Sequence, residues 1–78
     1  MSIEIYSTQT CTYCVRAKTL LQSKGLAYTE TDVTEDLDKV SEMIERSGRQ
    51  TVPQIFIDGD AIGGFLELAS LNATGRLV

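Results

Sequence analysis

A helix-patterned segment lies between two strand-patterned runs at the start of the chain, and this order restricts the fold more than any other feature. Ile3-Glu4-Ile5-Tyr6 alternates apolar and polar side chains of high strand propensity, and Ser7-Thr8-Gln9-Thr10 then breaks the alternation. From Cys14 onward Val15, Ala17, Leu20 and Leu21 recur at helical spacing, and Lys24-Gly25 supplies a basic last turn with a glycine stop. Leu26 through Val33, with Tyr28 among threonines, reads as a second strand. Two strands joined through a helix form a parallel pair, because a parallel connection needs a long, right-handed crossover. The chain therefore opens on a βαβ unit, and its first helix starts inside the segment Cys11-Thr12-Tyr13-Cys14.

The remainder completes an α/β pattern. Thr34-Glu35-Asp36 can cap a second helix whose apolar stripe is Leu37, Val40, Met43 and Ile44 and whose end is Ser47-Gly48. Pro53, the only proline, opens the strand-prone run Gln54-Ile55-Phe56-Ile57, and Asp58-Gly59-Asp60 turns the chain into a short strand around Ala61-Ile62. Gly63-Gly64 then frees the backbone before a last helix outlined by Phe65, Leu68, Ala69 and Leu71, ending near Gly75. The expected order is β-α-β-α-β-β-α. A chain of 78 residues buries only about 60% of the surface its unfolded form exposes, so one domain over residues 1–78 with one modest core is expected. Any electron donor must then be a separate molecule.

A formal net charge of −4 argues against nucleic acid as a partner. No run is long and apolar enough to span a membrane, and Met1-Ser2-Ile3-Glu4 lacks the charged start and apolar run of a signal peptide, so the expected location is the cytoplasm. With 2 cysteines and no histidine, a four-ligand zinc site would need two carboxylates, which is uncommon for structural zinc. No metal is expected on these grounds. A cytosolic cysteine pair is more often catalytic than a structural staple, since ordinary thiols are kept reduced there.

Cys11 falls between a strand and a helix, where backbone N–H groups and the positive end of the helix dipole favour thiolate over thiol. Thiolate is the nucleophile of disulfide exchange, and helix N-terminal cysteines in C-x-x-C motifs have lowered pKa values. Cys11 is thus read as the nucleophile. Cys14, one turn into the helix, is read as the less exposed, resolving thiol that attacks the mixed disulfide formed at Cys11.

With these residues in view, the chain resembles a glutaredoxin of the short bacterial dithiol type. The likeness rests on Cys11-Thr12-Tyr13-Cys14 after the first strand, Thr51-Val52-Pro53 before the third and Gly63-Gly64 before the last helix, with further similarity at Arg16-Ala17-Lys18, Ser47-Gly48-Arg49 and Val52 to Ile57. The resemblance implies a thioredoxin-like fold with a four-stranded mixed sheet and three helices. It implies glutathione as reductant and co-substrate, with glutathionylated or disulfide-containing proteins as substrates. It also implies a cis Val52-Pro53 bond, which would leave the Val52 backbone free to pair with an extended glutathione. Carried over by position, glutathione lies along Tyr13, Thr51, Val52 and Pro53, with its γ-glutamyl end near Gly64, Phe65, Leu66 and Glu67. The amides after Gly64 would hold a carboxylate, Glu67 would accept from the ammonium, and Arg49 or Gln50 would bind the glycyl carboxylate.

The sequence departs from the family pattern at three places. Thr12 replaces the usual proline of the dithiol motif, and relatives with a small residue there sometimes hold a [2Fe–2S] cluster between two subunits through Cys11-type thiolates and two glutathiones. Thr8 stands where many relatives carry a lysine. Phe65-Leu66-Glu67 replaces a small residue or cysteine followed by an acidic pair, and Gly64-Phe65 resembles glutaredoxin-like electron donors of ribonucleotide reductase that are reduced by thioredoxin reductase. Two alternatives thus stand beside the glutathione-dependent reading: such an electron donor, and a cluster-bridged dimer of an otherwise monomeric chain.

Overall fold

The computed structural model describes residues 1–77. Its order is β1 (Ile3–Ser7), α1 (Thr12–Ser23), β2 (Thr29–Asp32), α2 (Leu37–Ser47), β3 (Gln54–Ile57), β4 (Asp60–Gly63) and α3 (Phe65–Ala73). The expected sequence of elements and the α/β class are both found. The sheet runs β2-β1-β3-β4; β1 is parallel to β2 and antiparallel to β3, and β3 is antiparallel to β4.

The central strands β1 and β3 are covered on both faces, and alternation sorts their side chains. Ile3, Ile5 and Ile55 join Ala17, Leu21, Leu68 and Leu77 in a core beneath α1 and α3. On the opposite face Tyr6 and Phe56 pack with Val33 and Met43 under α2. Arg46 of α2 closes the edge of this second cluster. Its guanidinium lies 4.0 Å over the Phe56 ring, meets both Glu4 carboxylate oxygens at 3.0 and 3.1 Å, and donates to the Tyr6 hydroxyl at 2.8 Å. The Tyr6 hydroxyl in turn donates to Glu42.

Helix ends follow local chemistry. The Asp36 carboxylate caps α2 by accepting from the Lys39 N–H at 3.1 Å. Gly48, at φ 73°, ends it in a left-handed turn that a side chain would strain.

Three expectations are corrected. The second strand does not run from Leu26 to Val33; only Thr29–Asp32 pairs with β1. Leu26 and Tyr28 pack into the core beneath α1 and α3 without pairing with β1, so their apolar character reflects burial; Val33 packs into the other core, and its N–H donates to the Ser7 carbonyl at the end of β1 at 2.8 Å. Leu37 is 82% exposed, because it begins α2 and lies roughly 120° around the helix from buried Met43. Val15 is 55% exposed, since the inward stripe of α1 is Cys14, Ala17 and Leu21. No helix among the described residues is long and apolar enough to cross a membrane.

Candidate active site

Cys11 is the N-cap of α1. Its extended backbone (φ −91°, ψ 110°) aims the sulfur back over the first turn, where it accepts from the Cys14 N–H at 3.0 Å. The two cysteines are paired as a disulfide with their Cα atoms 5.1 Å apart. They are unequal in access: Cys14 is fully buried, while Cys11 retains an exposed edge. Cys11 Sγ also lies 3.6 Å from the Val52 carbonyl oxygen. In the disulfide there is no S–H, so this is a contact only; after reduction the N–H of Cys14 favours thiolate and the Val52 carbonyl opposes it.

The loop that presents Cys11 is held at both ends. The Cys11 N–H reaches the Thr8 carbonyl at 3.5 Å. The Gln9 N–H donates to Thr34 Oγ1 at 3.0 Å, and the Gln9 amide donates to Asp32 at 3.1 Å, tying the loop to the end of β2.

Opposite Cys11 the Val52–Pro53 bond is cis, as the resemblance implied. The Val52 N–H has no hydrogen-bond partner among the described residues. Sequence reasoning missed what holds this loop. Gln54 is buried in β3, and its side-chain amide donates to Thr51 O at 2.9 Å and Thr51 Oγ1 at 3.1 Å. An amide on the inward side of an otherwise apolar strand run was the available signal, since a buried amide needs partners.

A cleft of about 280 Å³ runs along this loop, lined by Tyr13, Arg49, Thr51, Val52, Pro53, Gly64, Phe65, Leu66 and Glu67. Nine of the ten positions singled out for glutathione thus converge from four separate segments. Gln50 is exposed and lies outside the lining. The approach of α3 to the Pro53 loop is close: a Cβ on Gly64 would lie 3.2 Å from the Pro53 carbonyl oxygen.

Glu67 folds back onto the start of its own helix. Its Oε1 accepts from the Gly64 N–H at 2.7 Å and from Arg49 at 3.4 Å. The Gly64 N–H, with the Arg49 guanidinium adding to it, holds the Glu67 carboxyl below the usual carboxylate range. Arg49 thus lies within ion-pair distance of Glu67 across the cleft while its side chain stays about half exposed, at 54%. On the other wall the Tyr13 and Phe65 rings stack with centroids 5.9 Å apart, and Arg16 covers the Tyr13 ring at 5.3 Å.

Comparison with known proteins agrees with this geometry. The glutaredoxin family model matches residues 3–62. The chain is 53% identical over 76 residues to glutaredoxin 3 of Escherichia coli (strain K12), covering 97% of this chain and 92% of that protein. Among solved structures, the solution structure of a Brucella melitensis glutaredoxin superposes with a TM-score of 0.85 at 43% identity, covering 99% of this chain and 84% of that one. A buckwheat glutaredoxin–glutathione complex superposes with a TM-score of 0.87 at 28% identity over 96% of this chain and 71% of that one. A cysteine pair at the start of α1, a cis-proline loop facing it and near-full-length relatives lead to one conclusion: the chain belongs to the glutaredoxin family.

Proposed function

We propose that this chain is a cytoplasmic, glutathione-dependent thiol-disulfide oxidoreductase that reduces glutathionylated proteins and protein disulfides. The observation that carries the reading is the inequality of the two sulfurs: Cys11 is accessible at the helix start beside the cleft, and Cys14 is sealed behind it. Cys11 thiolate attacks the substrate disulfide, forming a Cys11 mixed disulfide and releasing one substrate thiolate. For a glutathionylated substrate the released half is the protein, and glutathione then frees Cys11 as oxidised glutathione. For a protein disulfide, Cys14 thiolate attacks the mixed disulfide, leaving Cys11–Cys14 oxidised and the substrate as a dithiol. Glutathione restores that dithiol.

In this reading Val52 pairs with the glutathione backbone. Tyr13, Thr51 and Pro53 form the floor of the cleft. The amides after Gly64, at Phe65 and Leu66, face the γ-glutamyl carboxylate, and the second oxygen of Glu67 accepts from the ammonium. Arg49 or Gln50 binds the glycyl carboxylate; of the two, only Arg49 lines the cleft. The test is a glutathione-coupled reductase assay with wild type, Cys11→Ser and Cys14→Ser. Cys11→Ser abolishes turnover of every disulfide, while Cys14→Ser keeps turnover of glutathionylated substrates; full activity in Cys11→Ser would overturn the assignment.

One observation favours a second reading, an electron donor to ribonucleotide reductase that thioredoxin reductase regenerates. The Gly64 N–H, a natural anchor for a ligand carboxylate, is already occupied by Glu67, which weakens glutathione capture. Incubating the oxidised protein with glutathione and its reductase, or with thioredoxin reductase alone, separates the two by which route restores free thiols.

A further inference from the structure

Of the five large apolar side chains left exposed, three, Tyr13 (51%), Val15 (55%) and Leu66 (70%), lie on α1 or at the start of α3, while Met1 and Leu37 lie elsewhere. Exposed apolar patches of this kind mark contact sites for other macromolecules. Tyr13 and Leu66 belong to the cleft, but Val15 does not. It lines a second, larger groove of about 440 Å³ between α1 and α3, with Thr19 and Leu20 on one side and Ala69 on the other. Phe65 is common to both, so its ring, stacked on Tyr13, is the ridge between cleft and groove. Arg16 is the only charged residue of the groove, and it sits at the ridge over Tyr13.

We propose that this groove receives the polypeptide half of a glutathionylated substrate, with an apolar substrate side chain inserted between α1 and α3 and an acidic neighbour paired with Arg16. The proposal rests on the glutathione reading above, in which the cleft takes the other half. Continuity through Phe65 and the single cationic charge argue for this occupant. Along α1, Val15 is about 6 Å and Thr19 about 12 Å from Cys11 in helical rise. An extended peptide covers those spans in about two to four residues. The inserted residue therefore lies two to four positions from the substrate cysteine. In the step itself the Cys11 sulfur bonds to the glutathionyl sulfur and the mixed disulfide breaks. The peptide leaves as thiolate and takes a proton from water, reduced as Cys11 is oxidised; a second glutathione then releases Cys11 as oxidised glutathione.

The test compares two substrates with the same glutathionyl half: the mixed disulfide of glutathione with 2-mercaptoethanol, and a glutathionylated peptide carrying leucine three residues from its cysteine and a flanking glutamate. Thr19→Glu places a charge in the groove from an exposed position outside the cleft. It should lower kcat/KM for the peptide by roughly ten-fold or more and leave the small substrate unchanged. Arg16→Glu should reverse the preference, favouring a lysine-flanked peptide. Equal effects on both substrates, or none on the peptide, would overturn the groove assignment while leaving the oxidoreductase reading intact. Wild type inactive on the small substrate would instead remove that reading and this one together. A Thr19→Glu variant that disrupts a dimer without changing peptide turnover would assign the groove to a second copy and reject the proposal.

Discussion

The Glu67 carboxylate accepts from the Gly64 N–H at 2.7 Å, so the helix that borders the cleft is closed by its own side chain. The contact joins three parts of the site, because the same oxygen meets Arg49 and because α3 begins against the Pro53 loop.

Removal of this carboxylate should destabilise the protein in a pH-dependent way. Glu67→Gln keeps the shape and an acceptor for the Gly64 N–H and removes only the charge, worth about 0.3–1 kcal/mol near a helix N-terminus. The Glu67 carboxyl titrates below its ordinary value of 4.5 in the folded state. Its stabilising effect is then complete above the unfolded-state value and fades as pH falls through the lower folded-state one. Urea midpoints should separate wild type from Glu67→Gln at pH 7 and converge toward pH 3. Curves that stay equally separated at both would reject the mechanism.

Gly63 is the partner of that arrangement. It sits at φ +112°, and a Cβ there would lie 2.5 Å from Glu67 Oε1 and 2.8 Å from its Cγ. Gly63→Ala should therefore cost about 1–3 kcal/mol through backbone strain together with the clash. In a Glu67→Ala background only the strain remains. The two substitutions should be non-additive, with the double variant more stable than the sum of the singles implies. Strict additivity in denaturant unfolding would show that the clash is relieved elsewhere.

Much of this site is visible in the sequence because its signals are short-ranged. Cys11 to Cys14 span one helical turn, whereas Thr51-Val52-Pro53 is legible as a loop only through the family resemblance, because a lone proline reads as a strand boundary. What the pattern could not supply depends on contacts between distant segments. Arg49 and Glu67 are eighteen positions apart and meet only when the start of α3 comes up against the loop that follows α2. Leu26 and Tyr28 look strand-like, yet the ladder of edge strand β2 begins only at Thr29, and these two side chains are drawn into the core beneath α1 and α3 instead. Leu37 stands three residues before Val40, but it opens α2 roughly 120° around the helix from buried Met43 and is left in solvent.

Glu30 provides a second acid-sensitive contact at the edge of the sheet. It accepts from Lys18 at 2.8 Å and from the buried Ser7 hydroxyl at 2.6 Å. Lys18 first, and Ser7 after it, hold the Glu30 carboxyl below its ordinary 4.5. Glu30→Ala strands the Ser7 hydroxyl, which is 1% exposed, and an unsatisfied buried hydroxyl costs about 1–3 kcal/mol. Ser7→Ala in the same background should recover part of that loss, a result readable from thermal midpoints. No recovery would mean that the ion pair, not the hydroxyl, dominates.

Arg46 should resist conservative replacement. Its guanidinium meets both Glu4 oxygens while its central carbon lies 4.0 Å over the Phe56 ring. A lysine ammonium cannot reproduce the paired geometry or the contact over the ring. Arg46→Lys should cost about 1 kcal/mol or more at low salt, with much of the loss persisting at 1 M salt because the ring contact is less screened than the ion pair. An Arg46→Lys variant as stable as wild type would assign the position to charge alone.

Thr12 is the first residue of α1, and the backbone around it suits proline. Cys11, the preceding residue, is extended at φ −91° and ψ 110°, the region that a following proline requires. The Thr12 N–H makes no hydrogen bond among the described residues, so proline removes a donor that is not in use. Thr12→Pro should then stabilise the protein by about 0.4–1 kcal/mol, chiefly by restricting the unfolded chain. The hydrogen bond from the Cys14 N–H to Cys11 Sγ does not involve Thr12 and should survive. Thermal unfolding of the oxidised protein tests the stability, and amide exchange at Cys14 tests the hydrogen bond. A lower midpoint with faster exchange at Cys14 would mean that proline displaces the helix start and with it the sulfur that α1 presents.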